Sequence, residues 1–352
     1  MSYSVVEADL EKNRSTIVAI WAANFDGGAE LAERRFDWIY LGNPAGAARC
    51  WLLRHDASGS YVGAAALFPR RFSYEGRPIR AAIGADYSVL QEHRSLMPAL
   101  KLQRIVTSEG RSDGTTFLYG FPALHSAPVM TRAGYRKLGV RSLLSKPLTT
   151  RNRFGRIRAT RPLAGILTPV ADLLWHTYWR VRRPSVRRRG ITLLLDGFDD
   201  RFDRLWASVS AGRMLLGVRD REYLSWRFPT GSAQGPYRIW ALLDDAGEEL
   251  QGYVVFHNIG TRVVVDDILS SDHGDTLTRL TTSFEDMCRD GCQTVAVPYF
   301  GNAAVAEALR AQGFREAATN AQAVVSAEKS TLLEPALSGT EHWWLFPGDM
   351  DV

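Results

Sequence analysis

The feature that most restricts this chain is that it repeats itself. Trp38, Trp51 and Gly63 are separated by 13 and 12 residues, and Trp226, Trp240 and Gly252 by 14 and 12. Both sets pass through a charged hairpin turn, Arg54-His-Asp-Ala-Ser-Gly59 in the first and Asp244-Asp-Ala-Gly-Glu-Glu249 in the second. Further on, Leu309-Arg-Ala-Gln-Gly313-Phe314 answers Met130-Thr-Arg-Ala-Gly134-Tyr135. Ordered self-similarity of this kind marks a duplicated structural unit. A chain of 352 residues with 45% apolar content can bury two medium cores. The expectation is two domains of one design, residues 1–148 and 191–352, joined by 149–190.

Within the first unit the pattern alternates between periods. Residues 4–24 read as a polar opening and then an amphipathic helix capped by Ser15, with Ile17, Ile20, Trp21 and Phe25 on one face. A second helix is expected over residues 29–41. A hairpin follows, residues 49–55 and 61–71, and then a strand pair broken at Glu75-Gly76-Arg77-Pro78. Residues 87–90 form a short strand, 91–94 a polar turn, and 95–110 a helix with Pro98 in its first turn. Thr116 to Phe121 is an apolar strand, Val129 to Ala133 a short helix, and a last strand runs to Leu144. The fold class is α/β, each domain a mixed, mostly antiparallel twisted sheet flanked by helices.

The strand-turn-helix at Asp86 to Arg104 has a chemical use. The N–H groups of a helix start point outward at the positive end of its dipole, so an anion such as a pyrophosphate can be held there. Its sequence, Arg94-Ser-Leu-Met97-Pro-Ala99, resembles motif A of the GNAT (GCN5-related N-acetyltransferase) superfamily. Met97 stands where that family usually has glycine, and Pro98 removes one N–H. Met130-Thr-Arg-Ala-Gly134-Tyr135 resembles the family's closing motif. Phe36-Asp-Trp38, Asn43-Pro-Ala-Gly46, Arg219-Asp-Arg-Glu-Tyr223-Leu-Ser-Trp226-Arg-Phe228 and Trp343-Trp-Leu-Phe-Pro-Gly-Asp349 resemble a bacterial group of tandem GNAT proteins linked to polysaccharide and cell-envelope biosynthesis.

That resemblance implies acetyl-CoA or another acyl-CoA as co-substrate, held by Ser88, Val89, Leu90, Arg94, Ser95, Leu96, Met97 and Ala99. It also implies that a backbone N–H near Val89 or Leu90 polarises the thioester. Candidate proton-transfer groups are Asp86, Tyr87 and His125, with Glu92 and His93 nearby. A structural hydrogen bond for Asp86 and a place on an exposed loop for His125 are the plainer readings. In the second unit Ser270-Ser-Asp-His-Gly-Asp-Thr276 precedes the corresponding helix. Its two carboxylates would repel a pyrophosphate, so the first unit is the expected donor site and the second a degenerate copy.

The joining segment carries most of the charge. Residues 146–190 hold twelve Lys/Arg and one acid, Asp172, a net +11, so a total of +5 leaves the rest at −6. Basic character confined to one segment argues against a nucleic-acid-binding fold with a distributed basic face. Residues 163–181 have an apolar helical face between arginines, too short and polar for a membrane span. A linker packed across both domains and a peripheral membrane contact through 151–190 both fit. Cys50, Cys288 and Cys292 suit neither a disulfide framework nor a metal site, and no metal is expected. The start lacks a signal peptide, so a cytoplasmic location is expected, with the inner membrane as a peripheral contact.

The expected activity is acyl-CoA-dependent N- or O-acyl transfer, most simply acetyl, to an amine or hydroxyl of a sugar or envelope precursor, in keeping with an exopolysaccharide role. Two alternatives stand beside it: a Fem-like transferase using aminoacyl-tRNA, and a non-catalytic GNAT-fold scaffold recruited to a membrane or acidic polymer.

Overall fold

The computed structural model describes residues 2–149, 171–174, 177, 178, 181, 189–230, 236–289, 291–317, 319–327 and 333–350. The basic segment expected over 149–190 lies for the most part outside them. Sixteen strands are formed by the described residues. In the first half they are β1 (Tyr3–Glu7), β2 (Arg49–His55), β3 (Tyr61–Tyr74), β4 (Arg77–Val89), β5 (Phe117–Gly120), β6 (Arg136–Val140) and β7 (Ser142–Pro147). In the second they are β8 (Thr192–Leu195), β9 (Leu216–Gly217), β10 (Arg238–Leu243), β11 (Leu250–Ile259), β12 (Arg262–Ser270), β13 (Thr294–Gly301), β14 (Arg315–Ala317), β15 (Gln322–Ala327) and β16 (Trp344–Leu345).

These strands make two eight-stranded sheets. The first runs β1-β2-β3-β4-β5-β15-β6, with β9 beside β3. The second runs β14-β7-β13-β12-β11-β10-β8, with β16 beside β13. Both are antiparallel except at one central pair, β4 with β5 and β12 with β13. The sequence boundary at 148 does not coincide with the sheets, because β7 sits in the second sheet and β15 in the first. The first half lends β7 and the second half lends β15 and the short β9, so neither sheet is complete without both.

The repeat seen in the sequence is a repeat of register. Gly63 faces Val89 across β3 and β4, and Gly252 faces Ser270 across β11 and β12. A Cβ at Gly63 would lie 2.8 Å from the Ser88 carbonyl oxygen, and one at Gly252 would lie 2.9 Å from that of Leu269. Both glycines are required by the same close backbone approach. Counting back three residues from each partner gives Asp86 and Asp267, and the ladder slips by one residue in a β-bulge at Asp86–Tyr87 in the first copy and at Asp266, next to Asp267, in the second. Trp38 and Trp226 meet between the halves, ring centres 5.9 Å apart. Trp38 Nε1 donates to the Trp226 carbonyl at 2.9 Å, and Trp226 Nε1 donates to the Trp38 carbonyl at 3.0 Å. A contact that reads the same from either side is what an approximate two-fold relation between the halves produces.

Alternation along the strands buries both faces of each sheet. On one face of the first sheet Trp51, Leu53, Leu67 and Leu118 pack under α3 (Leu96–Glu109) and α4 (Ala127–Arg132). On the other, Leu52, Phe68, Ile83 and Tyr119 pack against α1 (Arg14–Ala22), α2 (Gly28–Arg35) and the π-helical turn Phe36–Leu41. Residues 3–7, expected as a polar opening, are the edge strand β1, and α1 starts after Asn13 with Ser15 already inside it. The strand expected over residues 87–90 is only the end of the thirteen-residue β4. No helix among the described residues is long and apolar enough to cross a membrane.

Candidate functional site

Strands β4 and β5 stay paired for three residues, Ala81–Phe117, Ala82–Leu118 and Ile83–Tyr119, and then part. Beyond Ile83 the two strands diverge around a cleft of about 700 Å³. Its walls come from Gly84 to Val89 of β4, the start and inner face of α3, and the loop and helix start at residues 121–130. Asn24 and Phe25 close it on the α1 side.

The β4 bulge shapes this cleft. Asp86 adopts φ 51°, a left-handed conformation uncommon outside glycine, and a buried network holds it there. Its carboxylate accepts from Arg35 Nη2 at 2.8 Å, Arg35 Nε at 3.2 Å and the Tyr40 hydroxyl at 2.8 Å. All of these lie on the α1–α2 face. Asp86 is therefore an anchor of the bulge whose oxygens are already used. Tyr87 turns to the other face, beside α3. Its hydroxyl makes no hydrogen bond to any described residue, and burial pushes its pKa up to about 12. It stays protonated, a donor facing the cleft. Ser88 is buried, its hydroxyl 3.5 Å from the Asp86 carbonyl oxygen.

At the end of β4 the backbone is divided by ladder alternation. Leu90 N–H donates to the Val62 carbonyl at 2.8 Å. In an antiparallel ladder the neighbouring residue then directs its N–H and C=O the other way. Val89 thus faces the opening that β5 has left, and of the two backbone donors considered from sequence only Val89's is directed there. The Val89 carbonyl accepts from Arg94 Nε at 2.9 Å, while Arg94 Nη2 donates to Asn24 Oδ1 at 2.8 Å. Arg94 thus spans the mouth of the cleft and ties β4 to the α1 side.

Ser95 caps α3 in an extended conformation without a side-chain bond. The N–H groups of Leu96 and Met97 are left without helical acceptors, and Pro98 supplies none. Met97 needs no left-handed backbone, since among the described non-glycine residues only Glu75 and Asp86 have positive φ. Its side chain is 74% exposed, so it leans into solvent, away from the helix axis. The backbone at this position does not require glycine. Ala99 lines the cleft wall one turn further on, and His125 is exposed at the rim with no bond to a described residue. The structure brings Asp86, Tyr87, Ser88, Val89, Arg94, Ser95, Leu96, Ala99 and His125 to one cleft, Asp86 with its carboxylate bonded by Arg35 and Tyr40; the Leu90 N–H and the Met97 side chain are turned away from it.

Sequence reasoning missed Gln103. It lies on α3 one turn beyond Ala99, only 4% exposed, and it lines the cleft. The signal was available: a polar residue on the stripe Ala99, Gln103, Val106, which otherwise carries small or apolar side chains.

The second copy opens the same V and fills it. β12 and β13 pair at Arg262–Thr294, Val263–Val295 and Val264–Ala296, the last pair again three residues before the aspartate. The gap beyond is occupied by residues 343–350. Trp344 and Leu345 pair with Gly301 and Phe300 of β13, and Trp344 Nε1 donates to the Ile268 carbonyl at 2.8 Å. His273 stacks on Trp344 at 4.4 Å, and Phe346 packs on Tyr299 at 5.0 Å. The helix Asp275–Cys288 has its own anion, as Asp272 Oδ1 accepts from the N–H groups of Gly274 at 2.8 Å and Thr276 at 3.2 Å. Burial opposes the ionisation of Asp272, but the hydrogen bond from the Thr276 hydroxyl, followed by these N–H groups, outweighs it and its pKa falls below the usual value. No group of three or more potential metal ligands occurs among the described residues.

Solved structures share the overall architecture. A conserved protein of Enterococcus faecalis V583, described as a probable N-acyltransferase, superposes with a TM-score of 0.68 over 95% of this chain and 74% of its own, at 11% identity. A GCN5-related N-acetyltransferase from Anabaena variabilis gives 0.63 over 92% and 72%, at 13% identity. Another from Kribbella flavida gives 0.57 over 92% and 71%, at 15% identity. The chain has the GNAT fold, in tandem. No protein-family model matches the sequence, and no curated protein does. At these identities it is the GNAT architecture that is shared, and the chemistry has to be argued from the cleft.

Proposed function

We propose that the chain is an acyl-CoA-dependent acyltransferase whose one donor site is the open cleft of the first sheet. The observation that carries this reading is the convergence, in that cleft, of an unused helix N-terminus, an inward-facing backbone at Val89 and a protonated Tyr87 without a hydrogen-bond partner among the described residues. The diphosphate of the donor takes the N–H groups of Leu96 and Met97, helped by the Arg94 cation. The thioester arm runs along β4 past Val89, whose N–H bonds a carbonyl of the donor. The acceptor enters from the α1 side, past Phe25 and Phe121, rings suited to the apolar face of a sugar. His125 at the rim takes the proton of the attacking amine or hydroxyl, directly or through water. The tetrahedral intermediate collapses with loss of the thiolate, which receives the Tyr87 proton. Asp86, held by Arg35 and Tyr40, is a positioning residue that fixes the bulge and so the aim of Tyr87.

The test is release of free CoA thiol from acetyl-CoA and longer acyl-CoAs in the presence of amino sugars, with wild type and Tyr87→Phe. The substitution should lower kcat at least about 100-fold while leaving KM for the donor within about threefold. Turnover unaffected by Tyr87→Phe would remove Tyr87 from the mechanism. Absence of CoA binding in the wild type would overturn the reading as a whole.

A further inference from the structure

The inner end of the cleft contains more than an acetyl group would use. Resting on the donor reading above, we propose that Gln103 and Gly84 form an acyl pocket that selects a chain longer than acetyl bearing a hydrogen-bonding substituent. The first observation is Gln103 itself. It is 4% exposed, its side-chain amide bonds no described residue, and neither amide atom is wholly sealed from solvent. Since the residue lines the cleft, the remaining access opens into it. An amide with a donor and an acceptor, nine-tenths buried and without a protein partner, forfeits hydrogen bonds unless a ligand supplies them.

The second observation is its level. Gln103 lies seven residues beyond Leu96, about 10 Å along the helix axis from the N–H groups that take the diphosphate. Because α3 runs back along β4, the same distance from Val89 reaches about three residues down the strand, to the bulge at Asp86 and beyond. Gln103 therefore stands past Val89, at the reacting end of the donor and not beside its diphosphate. It is also on the α3 face, whereas Asp86, Arg35 and Tyr40 occupy the α1–α2 face, so the group it reads belongs to the donor and not to the acceptor.

The third observation is room. Gly84 has no positive φ, and a Cβ built there would meet nothing closer than the Tyr135 hydroxyl at 3.6 Å, an ordinary contact. Neither backbone conformation nor crowding requires glycine at this position. Its missing side chain leaves room in the cleft that Gln103 also lines, together with the apolar side chains of Val106 and Met130. An apolar wall with one amide set into it fits a short acyl chain carrying a hydroxyl or carbonyl a few atoms from the thioester.

Competition binding with acetyl-CoA, butyryl-CoA, 3-hydroxybutyryl-CoA and CoA itself separates the possibilities, on wild type, Gln103→Leu and Gly84→Val. In wild type 3-hydroxybutyryl-CoA should bind at least tenfold more tightly than butyryl-CoA, which lacks only the hydroxyl. Gln103→Leu should abolish that preference and leave CoA affinity within about twofold. Gly84→Val should weaken both four-carbon donors at least tenfold and spare acetyl-CoA. Equal affinities for the two four-carbon donors in wild type, or a preference that survives Gln103→Leu, would overturn the acyl pocket while CoA binding still upheld the donor site. Failure of every CoA species to bind would overturn both.

Discussion

Past Ile83 the strands β4 and β5 separate around about 700 Å³ of open space, whereas past Val264 the strands β12 and β13 close upon Trp344 and Phe346. The frame is the same in both, down to the glycine, the bulge and the aspartate held by an arginine and a tyrosine. Asp267 is bonded by Arg219 and by the Tyr253 hydroxyl at 2.8 Å, as Asp86 is by Arg35 and Tyr40. The differences lie in what meets the frame. In the first copy the bulge aspartate takes a left-handed φ and the helix start is free; in the second it does not, and Asp272 satisfies the helix. Residues 343–350 also tie the copies together, for Asp349 accepts from Arg70 Nη2 at 2.6 Å and Arg219 Nη2 at 2.5 Å, and its carbonyl from Tyr119 at 2.7 Å. A frame present twice thus surrounds an open cleft in one copy and a packed segment that ties the halves together in the other.

The comparison can be broken most forcefully at the filled cleft. Trp344→Ala removes a fully buried indole and its bond to Ile268, and should cost about 3–5 kcal/mol in thermal or denaturant unfolding. It should create no second CoA site, because Asp272 still faces the helix start. A cost below about 1 kcal/mol would mean that the segment is not the structural core of the second copy.

Where the copies agree, they should respond alike. Tyr40→Phe and Tyr253→Phe each remove a phenol bonded to a buried carboxylate, and each should cost about 1.5–3 kcal/mol by urea denaturation. Burial, with the neighbouring carboxylate second, holds both phenols well above their usual pKa. A raised folded pKa stabilises fully below the unfolded value of about 10 and is lost as pH rises past it. The wild type should therefore lose stability above pH about 10, and either Phe variant should do so less steeply.

Where the copies differ, the difference should be transferable. Ser95→Asp gives α3 the carboxylate cap that the second copy already has, and should weaken CoA binding at least thirtyfold, about 2 kcal/mol, with stability changed by less than about 1 kcal/mol. The smallest effect belongs to the contact between the halves. Trp38→Phe deletes one of two reciprocal indole–carbonyl bonds and should cost about 1 kcal/mol, matched by Trp226→Phe. Unequal costs would argue against an even two-fold contact.

Much of the frame was legible in the sequence because its causes are local. Gly63 and Gly252 stand where a carbonyl passes too close for a Cβ, and the strands between turn signals follow from alternation. The exchange of β7 and β15 was not legible, since which sheet a strand joins depends on pairing across more than a hundred residues. β1 was missed because a five-residue edge strand, Tyr-Ser-Val-Val-Glu, carries too short an alternation to stand out. At the site, the turn at Arg94 and the helix start were legible from the anion-binding pattern. Asp86 was not separable from a catalytic carboxylate until Arg35 and Tyr40 were seen on it, and the filling role of Trp343 to Asp349 required the fold.

The central claim, that two copies of one frame leave one donor site, is tested most directly by the stoichiometry of a calorimetric titration with acetyl-CoA and CoA. The account predicts one equivalent per chain in wild type and loss of that binding in Arg94→Glu, which reverses the charge at the mouth of the open cleft. Two equivalents, or one equivalent untouched by Arg94→Glu, would contradict it.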